Sequence, residues 1–511
     1  MSEGPAPPKV SRRLAAAINF LFSHVNTALV VTQGILLVPL YFAHVSRDLY
    51  GAWLATGNIL SWIELVDPGI SAVLTRQVAH TSGSGDRARL ARVIGTGLVV
   101  GLGLACLPLV AWPLAGHLGG FVRVSGREGA ELAHAFHLGL AASALTLASY
   151  ATTSVLTGLQ LAFRTGVVYT VSAVCGIAST VWFFHRGYGL ASIPMGSLVR
   201  GAMLVTLTGS LVTHWCARYL PERPRFDRAE LHGLAGTSVY TFLSRLGATL
   251  AGRMDAVITA RALSTSQTTV YTITGKALDP VRLVAASVGG AIQSGFAHLL
   301  GEGNKPRAAE VMGQANRAVG FGSVLLMSCV VALDQAFVTL WVGPANYGGH
   351  RLAAALAVST ALSTFTLSLN QLVFAAGGIR PSALLGLAEA AVKLGLQVLL
   401  VRRLGLLGMP LASAIASLCV SGWTLPRIAA GLVGASPGDA ARFWLTQVAR
   451  LVVGVSAGAA VAWLLARAAI RWTWPGFFAA AALVGTCFGA VALATDPGAR
   501  ALLLSRLRRG K

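Results

Sequence analysis

Six charged side chains lie inside two long apolar stretches in the second half of the chain, away from Arg261 at the end of the first and His298 near the end of the second: Arg245, Arg253 and Asp255 within 233–262, and Lys276, Asp279 and Arg282 within 267–300. Four cations against two carboxylates leave an excess of +2. Charges inside apolar spans are costly enough that they face a cavity or a partner. Arginine's planar guanidinium donates paired hydrogen bonds to phosphate oxygens and never deprotonates. Arg245 and Arg282, with Lys276 and Arg253, could therefore form a cationic wall for a phosphate-bearing group. The pairs 276/279 and 279/282 are i,i+3 neighbours on a helix, so Asp279 can clamp Lys276 and Arg282. Asp255 is the other candidate support, whereas Arg245 has no acidic residue three or four positions away. A second reading stands beside the first: an internally neutralised structural network, with Arg253 snorkelling outward.

Other polar residues fall inside apolar stretches. Glu64 and Asp67 are i,i+3 apart, and one of two adjoining carboxylates can bind and release a proton or Na⁺, making them the candidate coupling-ion site; the alternative for Asp67 is helix support. Asn19, Asn26 and Gln33 recur every seven residues, a polar stripe that can line a sugar pathway or bond to neighbouring helices. His24 on the same run reads as a packing residue. Asp334 lies apart from these groups. Glu389 and Lys393 have the i,i+4 spacing of a local ion pair. Arg200 and Arg450 are within snorkelling distance of an interface. The six cysteines are scattered with no C-x-x-C pair and read as small core hydrophobes.

The elements that must position these residues follow from composition. The 511 residues are 55% hydrophobic and 11% charged, with mean hydropathy +0.68. That is too little polar surface for a water-soluble particle of this size. Apolar runs of spanning length are expected at 14–43, 50–76, 93–115, 132–159, 165–185, 189–212 and 233–262. They continue at 267–300, 318–342, 352–376, 382–401, 405–429, 443–466 and 476–495. The expectation is an all-α integral membrane protein of about 14 transmembrane helices, or twelve if the splits at 160–164 and 377–381 are wrong. The first run is too long and too polar for a cleaved leader. Loop Lys and Arg distribute 23 on the N-terminal side against 10 opposite, which places both termini in the cytoplasm. The net charge of +22 is then mainly a topology signal and an attraction for anionic lipid; nucleic acid is a poor second reading.

The chain also repeats itself. Residues 79–89 match 297–307 at an offset of 218, preserving A-H-x-x-G-x-G-x-[RK]-x-R. Arg186, Gly189, Leu190, Pro194 and Ser197 match Arg402, Gly405, Leu406, Pro410 and Ser413 at an offset of 216, which Arg164 and Arg380 share. His80 and His298 recur with the motif but lack companion ligands, so they read as part of a fold signal. Two six-helix halves are expected, 1–215 and 216–430, with two extra helices and a basic tail at 431–511. An even number of spans per half makes the repeat parallel, the plan of transporters with a substrate site between halves.

Leu49-Tyr50-Gly51-x-Trp53, then Asp67-x-Gly69-Ile70, then Arg76 and a Gly/Asp/Arg loop, are similar to the polysaccharide (O-antigen type) flippases of the multidrug/oligosaccharidyl-lipid/polysaccharide exporter superfamily. The resemblance implies a V-shaped pair of six-helix bundles that moves undecaprenyl-pyrophosphate-linked glycans from the inner to the outer leaflet. It makes the pyrophosphate the group held by Arg245, Arg282, Lys276 and Arg253. Fourteen helices rather than twelve is a feature shared with lipid II flippases. The implied partners are the lipid-linked glycan, membrane lipid and glycan polymerase or assembly proteins, in the cell membrane.

No P-loop motif occurs, no cofactor is implied, and no extramembrane loop exceeds about 20 residues, which leaves no room for a catalytic domain. A transporter is therefore expected rather than an enzyme. Two rivals stand: a multidrug antiporter of the same superfamily, disfavoured by the positive site, and a non-transporting scaffold in a glycan-assembly complex. Gly97–Gly101 is a G-x-x-x-G spacing that suggests close helix contact.

Overall fold

The computed structural model describes residues 12–61, 65, 69–235, 239–468 and 470–495. Every regular element among them is helical. The chain divides into two compact units, Met1–Thr249 with Ser264–Ser266, and Leu250–Leu263 with Gln267–Lys511.

The first unit holds α1 (Arg12–His44), α2 (Arg47–Ser61), α3 (Ile70–Ser84), α4 (Arg87–Cys106), α5 (Ala115–Val122), α6 (Gly126–Gly158), α7 (Ala162–His185), α8 (Ser192–Tyr219), α9 (Arg228–Ala235) and the first turns of α10 (Val239–Ala262). Its core includes Leu74, Val78, Ile94, Leu156 and Trp215. Glu230 on α9 pairs with Arg89 at 2.9 Å and Asp227 with Arg92 at 3.3 Å, so the linker after α8 folds back onto α4.

The second unit holds the rest of α10, then α11 (Thr265–Thr274) from Gln267 on, α12 (Asp279–Gly301), α13 (Lys305–Val342), α14 (His350–Ala375), α15 (Ile379–Leu404), α16 (Gly408–Ala416), α17 (Gly422–Val433), α18 (Pro437–Arg467) and α19 (Trp474–Thr495). Met327, Leu356, Phe365, Met409 and Trp444 form its largest apolar core.

This is a multi-pass membrane protein. Ten helical stretches among the described residues are long and apolar enough to cross a membrane. The expected fourteen is approximate. One of the ten, Ile379–Val433, contains a break at Gly405 (φ 58°). The stretches around α10 to α12 are not among these ten, and residues 62–64 and 66–68 lie outside the description.

The repeat has a local cause. Gly85 (φ 77°) ends α3 in the left-handed region that favours glycine, and Asp86 caps α4 by accepting the Arg89 N–H at 2.8 Å. Gly303 (φ 73°) and Asn304, which accepts the Arg307 N–H at 3.2 Å, do the same between α12 and α13. Gly189 and Gly405, with φ of 54° and 58°, each open a short 3-10 turn before the next helix. The matched residues thus write the same helix ends twice.

Small residues set the closest crossings. A Cβ on Gly101 of the Gly97–Gly101 pair would lie 2.4 Å from the Ala151 Cβ of α6. The less forgiving case is α18 on α13, where a Cβ on Gly458 would meet the Ser328 carbonyl oxygen at 2.5 Å. That oxygen is backbone and cannot rotate away. Gly458→Ala is expected to destabilise the second unit by about 2 kcal/mol through overpacking. Gly485→Ala, where a Cβ meets nothing within 4 Å, should leave thermal unfolding in detergent unchanged.

Candidate functional site

The stretch 267–300, expected as one helix, is broken. α11 ends at Thr274, Lys276–Leu278 form a 3-10 turn, and α12 begins at Asp279 with Pro280 in its first turn. Proline lacks the N–H that a continuous helix would need and is suited to a helix start. Lys276, Asp279 and Arg282 therefore gather at a discontinuity rather than along an unbroken rod. Lys276 Nζ lies 2.9 Å from Asp279 Oδ2, and Arg282 Nη1 lies 3.5 Å from Asp279 Oδ1. Arg282 Nη2 also donates to Thr360 Oγ1 of α14 at 2.8 Å. Both expected i,i+3 pairs form. Two cations share one carboxylate, so this cluster carries a net charge of +1, and all three side chains are partly open. Irregular backbone at membrane depth occurs where it lines a cavity or is covered by protein.

Asp255 belongs to a different group. Lys393 Nζ of α15 lies 2.8 Å from Asp255 Oδ1 and also donates to the Ala251 carbonyl. Gln397 Nε2 donates to the same Oδ1 at 2.9 Å, and the Tyr271 hydroxyl donates to Oδ2 at 3.0 Å. The carboxylate thus ties α10, α11 and α15 together. Arg253, two residues earlier and so about 200° around the helix, is exposed. Asp255 therefore supports Lys393 rather than the cationic set.

The local pair expected between Glu389 and Lys393 is replaced. With Lys393 turned to Asp255, Glu389 accepts hydrogen bonds from Ser417 and Ser421, at the two ends of a π-helical turn between α16 and α17. Spacing had shown that Glu389 and Lys393 could meet; burial decided that Lys393 joins a carboxylate on another helix. Lys393, Gln397, Tyr271 and Thr360 are the polar partners that sequence reasoning missed. A readable signal was Gln397, one turn after Lys393 and so on the same face of the helix.

The remaining candidates are more scattered. Arg245 is exposed on α10, in its first-unit part. On α1, Asn26 donates to the Phe22 carbonyl at 2.9 Å within its own helix, and Gln33 is half-buried. The Asn19 side chain lies outside the description, as do Glu64 and Asp67. His298 lies 3.3 Å from Glu302, its neighbour one turn on.

Residues 133–345 match the family described as "Polysaccharide biosynthesis protein". No curated protein matches the chain. Among solved structures, a multidrug resistance MATE family transporter of the MOP superfamily in an inward-facing conformation is similar, with TM-score 0.64 and 15% identity over 82% of this chain and 99% of the other. The lipid II flippase MurJ, inward closed, is similar with TM-score 0.64 and 14% identity over 94% of this chain and 99% of that one. An outward-facing MATE transporter gives TM-score 0.55 and 14% identity over 88% and 94%. At these identities the likeness is one of fold. Residues 133–345 thus carry the sequence pattern of the polysaccharide biosynthesis proteins, on the all-helical fold shared by MurJ and the MATE transporters of the MOP superfamily, as the residues around Tyr50 and Gly69 led us to expect.

Proposed function

We propose that the protein is a flippase that moves a polyprenyl-pyrophosphate-linked oligosaccharide from the inner to the outer leaflet of the cell membrane for surface polysaccharide assembly. The observation that carries the reading is the pairing of Lys276 and Arg282 on a single carboxylate at a helix break, a partly open cluster with one positive charge in excess. Such a cluster attracts a pyrophosphate and repels a cationic drug, which favours the flippase over the antiporter sharing its fold. Arg245 and Arg253, both exposed, extend the cationic set in this proposal, and Asp279 orients Lys276 and Arg282. The polyprenyl tail stays in lipid while the glycan passes through water. The two six-helix halves, 1–215 and 216–430, are the moving parts and 431–511 an appended pair, with both termini on the cytoplasmic side. Asn19, Asn26 and Gln33 remain candidates for the sugar path, and Glu64 and Asp67 for a coupling ion. Glycan polymerase or assembly proteins are the proposed partners.

The test is reconstitution of the full chain into liposomes with a fluorescent polyprenyl-pyrophosphate disaccharide. A membrane-impermeant quencher is expected to reach the entire labelled pool in vesicles holding the protein, and only the outer-leaflet share in empty ones. Equal quenching in both, alongside uptake of a fluorescent cationic drug driven by an ion gradient, would favour the antiporter.

A further inference from the structure

Asp334 is the most deeply placed carboxylate that the proposed site does not use. It is 1% exposed on α13, on the face that it shares with Met327, Val331 and Val338. Neither of its carboxylate oxygens has a hydrogen-bond partner among the described residues. Among the described residues, no charged group of the elements packed against α13 donates a hydrogen bond to Asp334. In the turn before α12, Lys276 is paired with Asp279; on α12, Arg282 binds Asp279 and Thr360. On α17, Arg427 lies over Trp423, and on α18 Arg467 lies over Trp463, while Arg450 of α18 donates no hydrogen bond to Asp334. α19 contains no charged residue.

A buried carboxylate with neither a cation nor a donor is too costly to keep charged in an apolar bundle, and carrying a proton is the neutral alternative. Tyr347, in the connection between α13 and α14, is a titratable side chain that feels the charge of Asp334. Burial, and then the nearness of Asp334, holds its phenol above the ordinary range. Its hydroxyl lies 3.1 Å from His350 Nδ1 at the start of α14, and His350 is partly exposed. The neighbouring Arg351 is exposed and lies on the side that the loop charges make the outer one.

We propose that Asp334 is a proton-binding site in the second unit, exchanging its proton with water at the outer surface through the Tyr347 hydroxyl and the His350 imidazole. The step is a plain acid dissociation: the Asp334 O–H breaks, the electron pair stays on the carboxylate, and a water molecule that reaches the carboxyl, which makes no direct hydrogen bond to Tyr347, takes the proton and passes it on by way of Tyr347 and His350. Use of this proton to drive transport rests on the flippase reading above; the site itself does not.

Infrared spectroscopy of the full chain in lipid bilayers tests it without a substrate. The wild type is expected to show a protonated-carboxyl C=O band at neutral pH that is absent from Asp334→Asn and moved by Asp334→Glu. Transfer to D₂O should shift the band, at least tenfold more slowly in Tyr347→Phe and His350→Ala. A wild-type spectrum indistinguishable from Asp334→Asn overturns proton binding. A band that never shifts, or that shifts at the same rate in both relay variants, overturns the exchange route. Failure of lipid-linked glycan movement in liposomes, with the band intact, would instead count against the flippase reading alone.

Discussion

Replacing Arg245 and Arg282 together by alanine is expected to abolish glycan-lipid export while the protein still inserts and folds. Arg282 gives Nη1 to Asp279 at 3.5 Å and Nη2 to Thr360 at 2.8 Å, two contacts from a group with five donor N–H bonds. The fork therefore retains capacity for phosphate oxygens. A charge-assisted hydrogen bond is worth about 1.5–3 kcal/mol. The loss of one bidentate contact is then about 3 kcal/mol, or roughly two orders of magnitude in transport rate. Stability should change little, because Asp279 keeps Lys276 at 2.9 Å and is not left as an isolated charge. Arg282→Lys retains the charge but not the planar fork, so an intermediate rate is expected. Export would be followed in cells lacking the native protein, with membrane abundance measured in parallel. If the double alanine variant, normally inserted, still exports glycan, the pyrophosphate assignment is wrong and a non-transporting scaffold becomes the better account.

The fold was legible where its causes are local. Excess apolarity required a helical membrane protein, and the matched segments marked the same helix ends twice because left-handed backbone and an N-cap are written in single residues: Gly85 with Asp86, Gly303 with Asn304. The site was legible only in part. The i,i+3 pairs of Lys276, Asp279 and Arg282 form because three residues apart on a helix is a local geometric fact. Spacing alone did not reveal that the helix starts at Asp279, although Pro280 carries that signal. The partner of Lys393 was out of reach, since Asp255 lies on a separate helix far away in sequence and the nearer carboxylate, Glu389, had the correct local spacing. Local spacing lists permissible pairs; the packing of distant helices selects among them.

Asp255→Ala is expected to be among the most destabilising single substitutions in the second unit. Lys393 is 11% exposed and Asp255 23%, so the pair is largely shielded from water. Breaking a buried pair by removing one partner costs about 3–5 kcal/mol, because the surviving charge has lost its counterion. The partial exposure of Asp255 places the expected loss near the lower end, about 3 kcal/mol. The Ala251 carbonyl remains for Lys393, but a neutral dipole replaces only part of a carboxylate's attraction. Lys393→Met strands Asp255 less severely, because Tyr271 and Gln397 still donate to it at 3.0 and 2.9 Å. The double variant Asp255→Ala with Lys393→Met removes both charges and should recover much of the loss, since a methionine packs where the lysine stem lay. The order of thermal stability in detergent is then wild type, Lys393→Met and the double variant close together, and Asp255→Ala last. A double-mutant cycle isolates the coupling, expected at about 2 kcal/mol. If the double variant is as unstable as Asp255→Ala, the lysine does not depend on the carboxylate, and the tie between α10 and α15 must rest on apolar packing instead.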